Sequence, residues 1–190
     1  MKKYLLLFLL LPALAWAQVQ NWLGLPQSLL FDGQTYQLKW SANPMPGYYK
    51  QEFLPAADTL SRFRQMLTVD WLQTPLRPEE VRTLKVRELQ QLVQRGGYAQ
   101  WRESSNDSEA ALEFVMLAED NDGEVMLEYN VYRYRAERQN GKDGVLLLAV
   151  SRRAYGEAES ARFVDNMQQD ESTFYRKVLA LPMPTVRLRP

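Results

Sequence analysis

Glu113 and Glu128 are the residues best placed for acid–base chemistry. They fall on two predicted strands joined by an Asp-Asn-Asp-Gly turn, and a hairpin register centred on that turn makes them near neighbours. Two carboxyl groups at a fixed separation are what glycoside hydrolysis uses. The same register sets Gln100, Glu113, Asn130 and Ser151 in one polar row across four strands. Glu128 and Arg153 lie beside that row, with Tyr132 at its edge. Amides, carboxylates, a phenol and a guanidinium gathered in this way describe a small-ligand surface. They describe equally well a solvated sheet face crossed by pairs such as Glu128–Arg153, each contributing about 0.2–1 kcal/mol. Polar faces of antiparallel sheets are common, and the solvated face is the more ordinary reading.

A second cluster, Tyr48-Tyr49-Lys50-Gln51-Glu52-Phe53, packs three aromatics and two charges into six residues beside a Pro-rich turn. As an edge strand it would offer Tyr48, Tyr49 and Phe53 to a protein partner. Aromatics otherwise dominate core burial, which is the usual fate of Trp40, Trp71 and Trp101.

Other chemistries drop out on composition. The 190 residues include no His and no Cys, which removes Ser-His-Asp and Cys-His catalysis, disulfides, thiolate metal sites and the usual ligands of zinc, copper and haem. No Ser-x-x-Lys arrangement and no Gly-rich phosphate loop occurs. Asp120-Asn-Asp-Gly123 resembles part of a calcium loop, but aligning Gly123 with the invariant glycine puts Ala118 and Tyr129 at ligand positions. A plain hairpin turn accounts for it, and neither a metal nor a cofactor is expected.

The N-terminus sets the expected compartment. Lys2-Lys3, the apolar run from Tyr4 to Leu11 with Leu14, and Ala15-Trp16-Ala17 form a secretory signal peptide with cleavage before Gln18. The apolar run is short for a membrane span. Its pattern is bacterial, so the periplasm or the exterior is the expected destination. The 23 basic residues include Lys2 and Lys3, so removing residues 1–17 leaves 21 basic against 23 acidic side chains, a net charge of −2. No basic excess exists to hold a nucleic-acid backbone.

The elements that position these residues form one domain. Residues 18–35 read as a lead-in, 36–181 as a single α+β domain and 182–190 as a Pro-rich tail, extended or poorly ordered. Tyr36, Leu38 and Trp40 alternate as a strand, and Tyr48–Phe53 returns. A helix is expected from Asp58 or Thr59 with Leu60, Phe63 and Leu67 on one stripe, although Leu67–Leu72 reads equally as strand. Pro78-Glu79-Glu80 starts a second helix, ended by Gly96-Gly97. Four strands follow around Tyr98–Ser104, Glu109–Ala118, Glu124–Ala136 and Val145–Tyr155, then a helix over 157–181. Val145–Val150 is apolar throughout, which predicts a central strand covered on both sides. Arg133, Arg135 and Arg138 mark a change of character along the third of these strands, explained either by a bulge or by projection beyond the helix layer.

The order ββααββββα predicts a mainly antiparallel, twisted sheet of about six strands with helices packed on one face. That order resembles small PsbP/Mog1-like domains, a likeness of architecture that carries no site residues. The function expected first is a non-catalytic binding or accessory protein of the cell envelope, with an envelope protein or a small ligand as partner. A carboxylate-only hydrolase using Glu113 and Glu128, or a small-ligand or lipid carrier, are the alternatives.

Overall fold

The computed structural model describes residues 19–119 and 123–189, so the expected signal peptide lies outside the described residues. Eight antiparallel strands form one sheet in the order β1-β2-β3-β4-β8-β7-β6-β5. In chain order these are β1 (Ser28–Phe31), β2 (Gln34–Met45), β3 (Tyr48–Leu54), β4 (Gln65–Gln73), then helix α1 (Pro78–Gln94). They are followed by β5 (Ala99–Ser105), β6 (Glu109–Glu119), β7 (Val125–Ala136), β8 (Gly144–Tyr155) and helix α2 (Gly156–Ala180). The α+β class with an antiparallel sheet is as the sequence predicts, with eight strands instead of about six. No helix among the described residues is long and apolar enough to cross a membrane.

The missing strands come from two places. Leu30 and Phe31 pair with Gln34 and Thr35 across Asp32-Gly33, both at positive φ, so part of the expected lead-in is a hairpin arm. The expected helix from Asp58 does not form. Residues 55–64 run as turns and bends, and Leu67, Val69 and Trp71 alternate with Thr68 and Asp70 along β4. β4 bridges β3 to β8, so both halves of the sheet depend on it. The Tyr48–Phe53 strand is therefore interior, between β2 and β4, and is not a free edge.

The helices lie on opposite faces, which corrects the expected one-sided packing. Phe174 and Val178 of α2 pack with Tyr129, Val131, Leu146, Leu148 and Val150, while Val86 and Leu89 of α1 pack with Leu112, Phe114, Tyr134 and Val145. Successive strand residues point to opposite faces, so β7 and β8 feed both cores. Val145–Val150 is indeed central and covered on both sides.

The register of β7 with β8 matches the sequence expectation, Asn130 opposite Ser151 and Glu128 opposite Arg153. The β5–β6 pairing keeps its expected faces but slides two residues, Trp101 meeting Phe114 instead of Leu112. The β6–β7 pairing differs by one: Leu112 faces Tyr132 and Phe114 faces Asn130. A slip of one residue exchanges faces, so the proposed four-strand polar row is split between the two sides of the sheet. No bulge interrupts β7, whose pairing to both neighbours is continuous. Arg133 does not project into solvent; it is buried, donates to Glu109 at 2.7 and 2.9 Å, and donates to the carbonyl oxygens of Val178 and Leu181. It thereby caps the C-terminus of α2, where a cation meets the negative end of the helix.

The core draws on residues from both sides of 36–181. Leu23, Leu25 and Val186 are buried on the α2 face, and the N–H groups of Arg187 and Arg189 donate to the carbonyl oxygens of Leu23 and Trp22 at 2.9 and 2.8 Å. Residues 182–189 carry no regular secondary structure and are docked on this core through Val186.

Candidate functional site

α1 packs over β5, β6 and β7, leaving the β3–β4 side of its face bare. Its position follows from the sequence: Pro78 opens it, Glu79 and Glu80 occupy the first turn, and the N–H of Arg77 donates to the Glu80 carboxylate at 2.7 Å. That hydrogen bond holds the Glu80 carboxyl below its usual range.

The step between α1 and the bare strands encloses a pocket of about 380 Å³. Its floor comes from one face of four strands: Tyr48 and Lys50 of β3, Thr68, Asp70 and Leu72 of β4, Val145 and Leu147 of β8, and Tyr132 and Tyr134 of β7. Register explains the grouping, since Lys50 faces Asp70, Asp70 faces Leu147 and Leu147 faces Tyr134 in one row across the sheet. Val81, Leu84, Lys85 and Glu88 of α1 form the wall, and Met45 contributes from the β2–β3 hairpin.

Asp70 is the charged group at the bottom. It is 5% exposed, its Oδ2 accepts from the Tyr48 hydroxyl at 2.9 Å and lies 4.0 Å from Lys50 Nζ. Its Oδ1 has no hydrogen-bond partner among the described residues. Burial pushes its carboxyl up to about 6, against the opposing pull of Lys50 and the Tyr48 hydrogen bond, with Glu52 adding to the rise. Burial likewise raises the Tyr48, Tyr132 and Tyr134 phenols, keeping all three protonated. The pocket thus offers apolar surface, three protonated phenols and the Thr68 hydroxyl, two lysines, and the Glu88 and Asp70 carboxylates, the latter with an unpartnered acceptor.

The residues predicted from sequence fall in three places. Tyr48 and Tyr132 line this pocket. Glu128, Asn130 and Arg153 sit further along the same face in a closed network: Arg153 donates to Glu128, Asn130 Nδ2 donates to Glu128 Oε1 at 3.0 Å, and Ser151 donates to Asn130 at 2.6 Å. Arg153 also stacks 4.0 Å from the Phe63 ring centroid. Groups so paired tie β7 to β8.

Gln100 and Glu113 are on the other face, beside a cleft of about 370 Å³ between β5, β6 and α2. Glu113 is buried and filled, accepting from Tyr129 on one oxygen and Arg102 on the other. Glu113 and Glu128 therefore point to opposite sides of the sheet, and the two carboxylates do not share one substrate.

Of the aromatic cluster, Tyr49 points to the α2 face, 6.0 Å from Trp22 and 6.2 Å from Trp71 between ring centroids. Phe53 is fully buried in that core and presents nothing to a partner. Sequence reasoning missed Asp70, Lys50, Thr68 and Tyr134. The available signal was the acid within Leu67-Thr-Val-Asp70-Trp-Leu72: read as a strand, the segment puts Asp70 on the face opposite Val69 and Trp71.

Among the described residues no three acidic side chains gather to hold a metal ion. A protein-family model matches residues 23–183, a span that takes in every described strand and both helices. No curated protein matches the sequence.

Proposed function

Because the chain belongs to the family whose model matches residues 23–183, a reading of its pocket is a reading of a feature built wholly within the matched span; we propose that the protein is a secreted, non-catalytic binding protein of the bacterial cell envelope that holds a small ligand between α1 and the open half of the sheet. The observation that carries this reading is the buried Asp70 oxygen without a hydrogen-bond partner among the described residues, on the floor of a pocket lined by both apolar and polar side chains. A buried acceptor left unsatisfied costs about 1–3 kcal/mol, a cost that a ligand donor removes. The pocket lies within the range of about 300–1,000 Å³ typical of small-molecule sites. Secretion rests on the Lys2-Lys3 start, the apolar run and Ala15-Trp16-Ala17. The PsbP/Mog1-like architecture belongs to the same proposal and adds no site residue.

The test uses the periplasmic protein, expected to begin at Gln18 by intact mass. Amide shifts are mapped while a neutral apolar probe, phenethyl alcohol, is titrated. The reading expects saturable shifts confined to the β3–β4 floor, the first half of α1 and Tyr132–Tyr134, and their loss in Leu84→Trp, which fills the mouth from a half-exposed position. Shifts centred elsewhere, or unaffected by Leu84→Trp, overturn it.

A further inference from the structure

The lysines at the pocket are held by other acids, which leaves Asp70 the under-paired charge. Lys50 and Lys85 line it with Asp70 and Glu88, and Glu52 lies beside Lys50. Lys85 Nζ is 2.9 Å from Glu88, and Lys50 Nζ is 3.4 Å from Glu52 but 4.0 Å from Asp70. Each lysine is thus nearer to another acid, and Asp70 keeps one hydrogen bond, from Tyr48, with its buried Oδ1 left without a hydrogen-bond partner among the described residues. A carboxylate has only acceptors to offer, so its complement is a donor, and a charged donor gains most where water is excluded. A ligand anion would have to enter beside Asp70 and displace a lysine from its own partner. Leu72, Val81, Leu84 and Leu147 line the same pocket with apolar surface that a purely polar cation would leave unused.

Resting on the reading of this pocket as a ligand site, we propose that it selects an organic ammonium ion: a protonated amine donating to Asp70 Oδ1 and carried on an apolar body that fills the space against α1. The phenol rings of Tyr48, Tyr132 and Tyr134 line the same space, and aromatic rings attract a cation placed over them.

Titration calorimetry at neutral pH with phenethylammonium, phenethyl alcohol and phenylacetate tests this, since the three share a ring and differ at the head group. The ammonium binds at least about tenfold more tightly than the alcohol, the scale of one charge-assisted hydrogen bond, and phenylacetate binds most weakly. Asp70→Asn, which keeps the shape, removes the preference for the ammonium and leaves the alcohol within about twofold. Equal binding of the ammonium and the alcohol, or a preference that survives in Asp70→Asn, overturns the ammonium assignment while the pocket reading stands. Absence of binding by all three up to their solubility limits, with no amide shifts at the pocket, overturns the pocket reading itself. A Tyr48→Phe variant guards against misfolding of Asp70→Asn: it removes the neighbouring hydroxyl but keeps the carboxylate, and it retains the ammonium preference.

Discussion

At the residue scale, Asp70 places stability and binding in opposition. Its carboxyl is raised to about 6 mainly by burial, whereas in the unfolded chain it titrates near 3.9. Between those two values the folded protein binds more protons at this site than the unfolded chain. Stability from Asp70 is therefore greatest below about pH 4, declines as pH rises to about 6, and stays at its lower level above that. Replacing the carboxylate by its neutral isostere removes the penalty: Asp70→Asn is expected to stabilise the free protein by about 1–3 kcal/mol at pH 7.5 and by little at pH 4. Denaturant midpoints at the two pH values check this. A gain at both, or at neither, would mean that Asp70 is not held charged in a buried site at neutral pH. A residue retained at a cost to stability is what a binding function leaves behind. The Glu128–Asn130–Ser151–Arg153 network is the contrast: the same residue types, mutually satisfied, leave no group in need of a ligand.

At the element scale, α2 depends on a strand. Val178 and Leu181 carbonyls at its C-terminal end accept from Arg133, which Glu109 of β6 holds in place at 2.7 Å. Arg133→Met keeps much of the side-chain bulk but uncaps the helix and leaves Glu109 without its cation. Breaking a buried pair from one side costs about 3 kcal/mol. Hydrogen exchange should report the loss first at residues 174–181, ahead of α1. Uniform loss across both helices would show that Arg133 acts on the sheet and not on the cap. This contact also marks where the sequence was and was not legible. The Asn140-Gly141 turn, at positive φ in both residues, announces its hairpin directly, whereas Asp32-Gly33, a turn of the same kind, closes a hairpin inside the expected lead-in. The β7–β8 register follows from centring the chain on its turn. The β6–β7 register did not, because alternate faces of β7 carry Leu127, Tyr129 and Val131 on one side and Met126, Tyr132 and Tyr134 on the other. When helices cover both faces, apolar alternation no longer selects a face, and a register one residue off looks equally sound. Asp70 was hidden for a related reason: no turn signal separates residues 58–64 from β4, so Leu60, Phe63 and Leu67 imitate a helical stripe.

At the scale of the molecule, one sheet separates two side-chain cores, and the described segments flanking the sheet and helices, around residues 23–25 and 186, belong to only one of them. Leu23, Leu25 and Val186 seal the α2 face, with the 187 and 189 amides bonded to residues 23 and 22, while the pocket lies across the sheet beside α1. The backbone of β4, β7 and β8 is common to both sides, so the cores should melt together although their side chains never meet. Ending the chain after Leu181 removes the burial of Val186, worth about 1.5–3 kcal/mol for such a side chain, and frees the carbonyls of Trp22 and Leu23 to solvent. Met183 and Leu188, packed on the same core, are lost as well, and the ordering entropy of the nine removed residues offsets part of the total. A fall of about 1–2 kcal/mol is expected, in one cooperative transition seen alike by Trp71 on one face and by the pocket tyrosines on the other. Ligand affinity of the folded truncated protein should stay within about twofold, since no described tail residue lines the pocket. Two separate transitions would show that the faces are independent units; lost affinity with one transition would show that the tail fixes the sheet's curvature at the pocket.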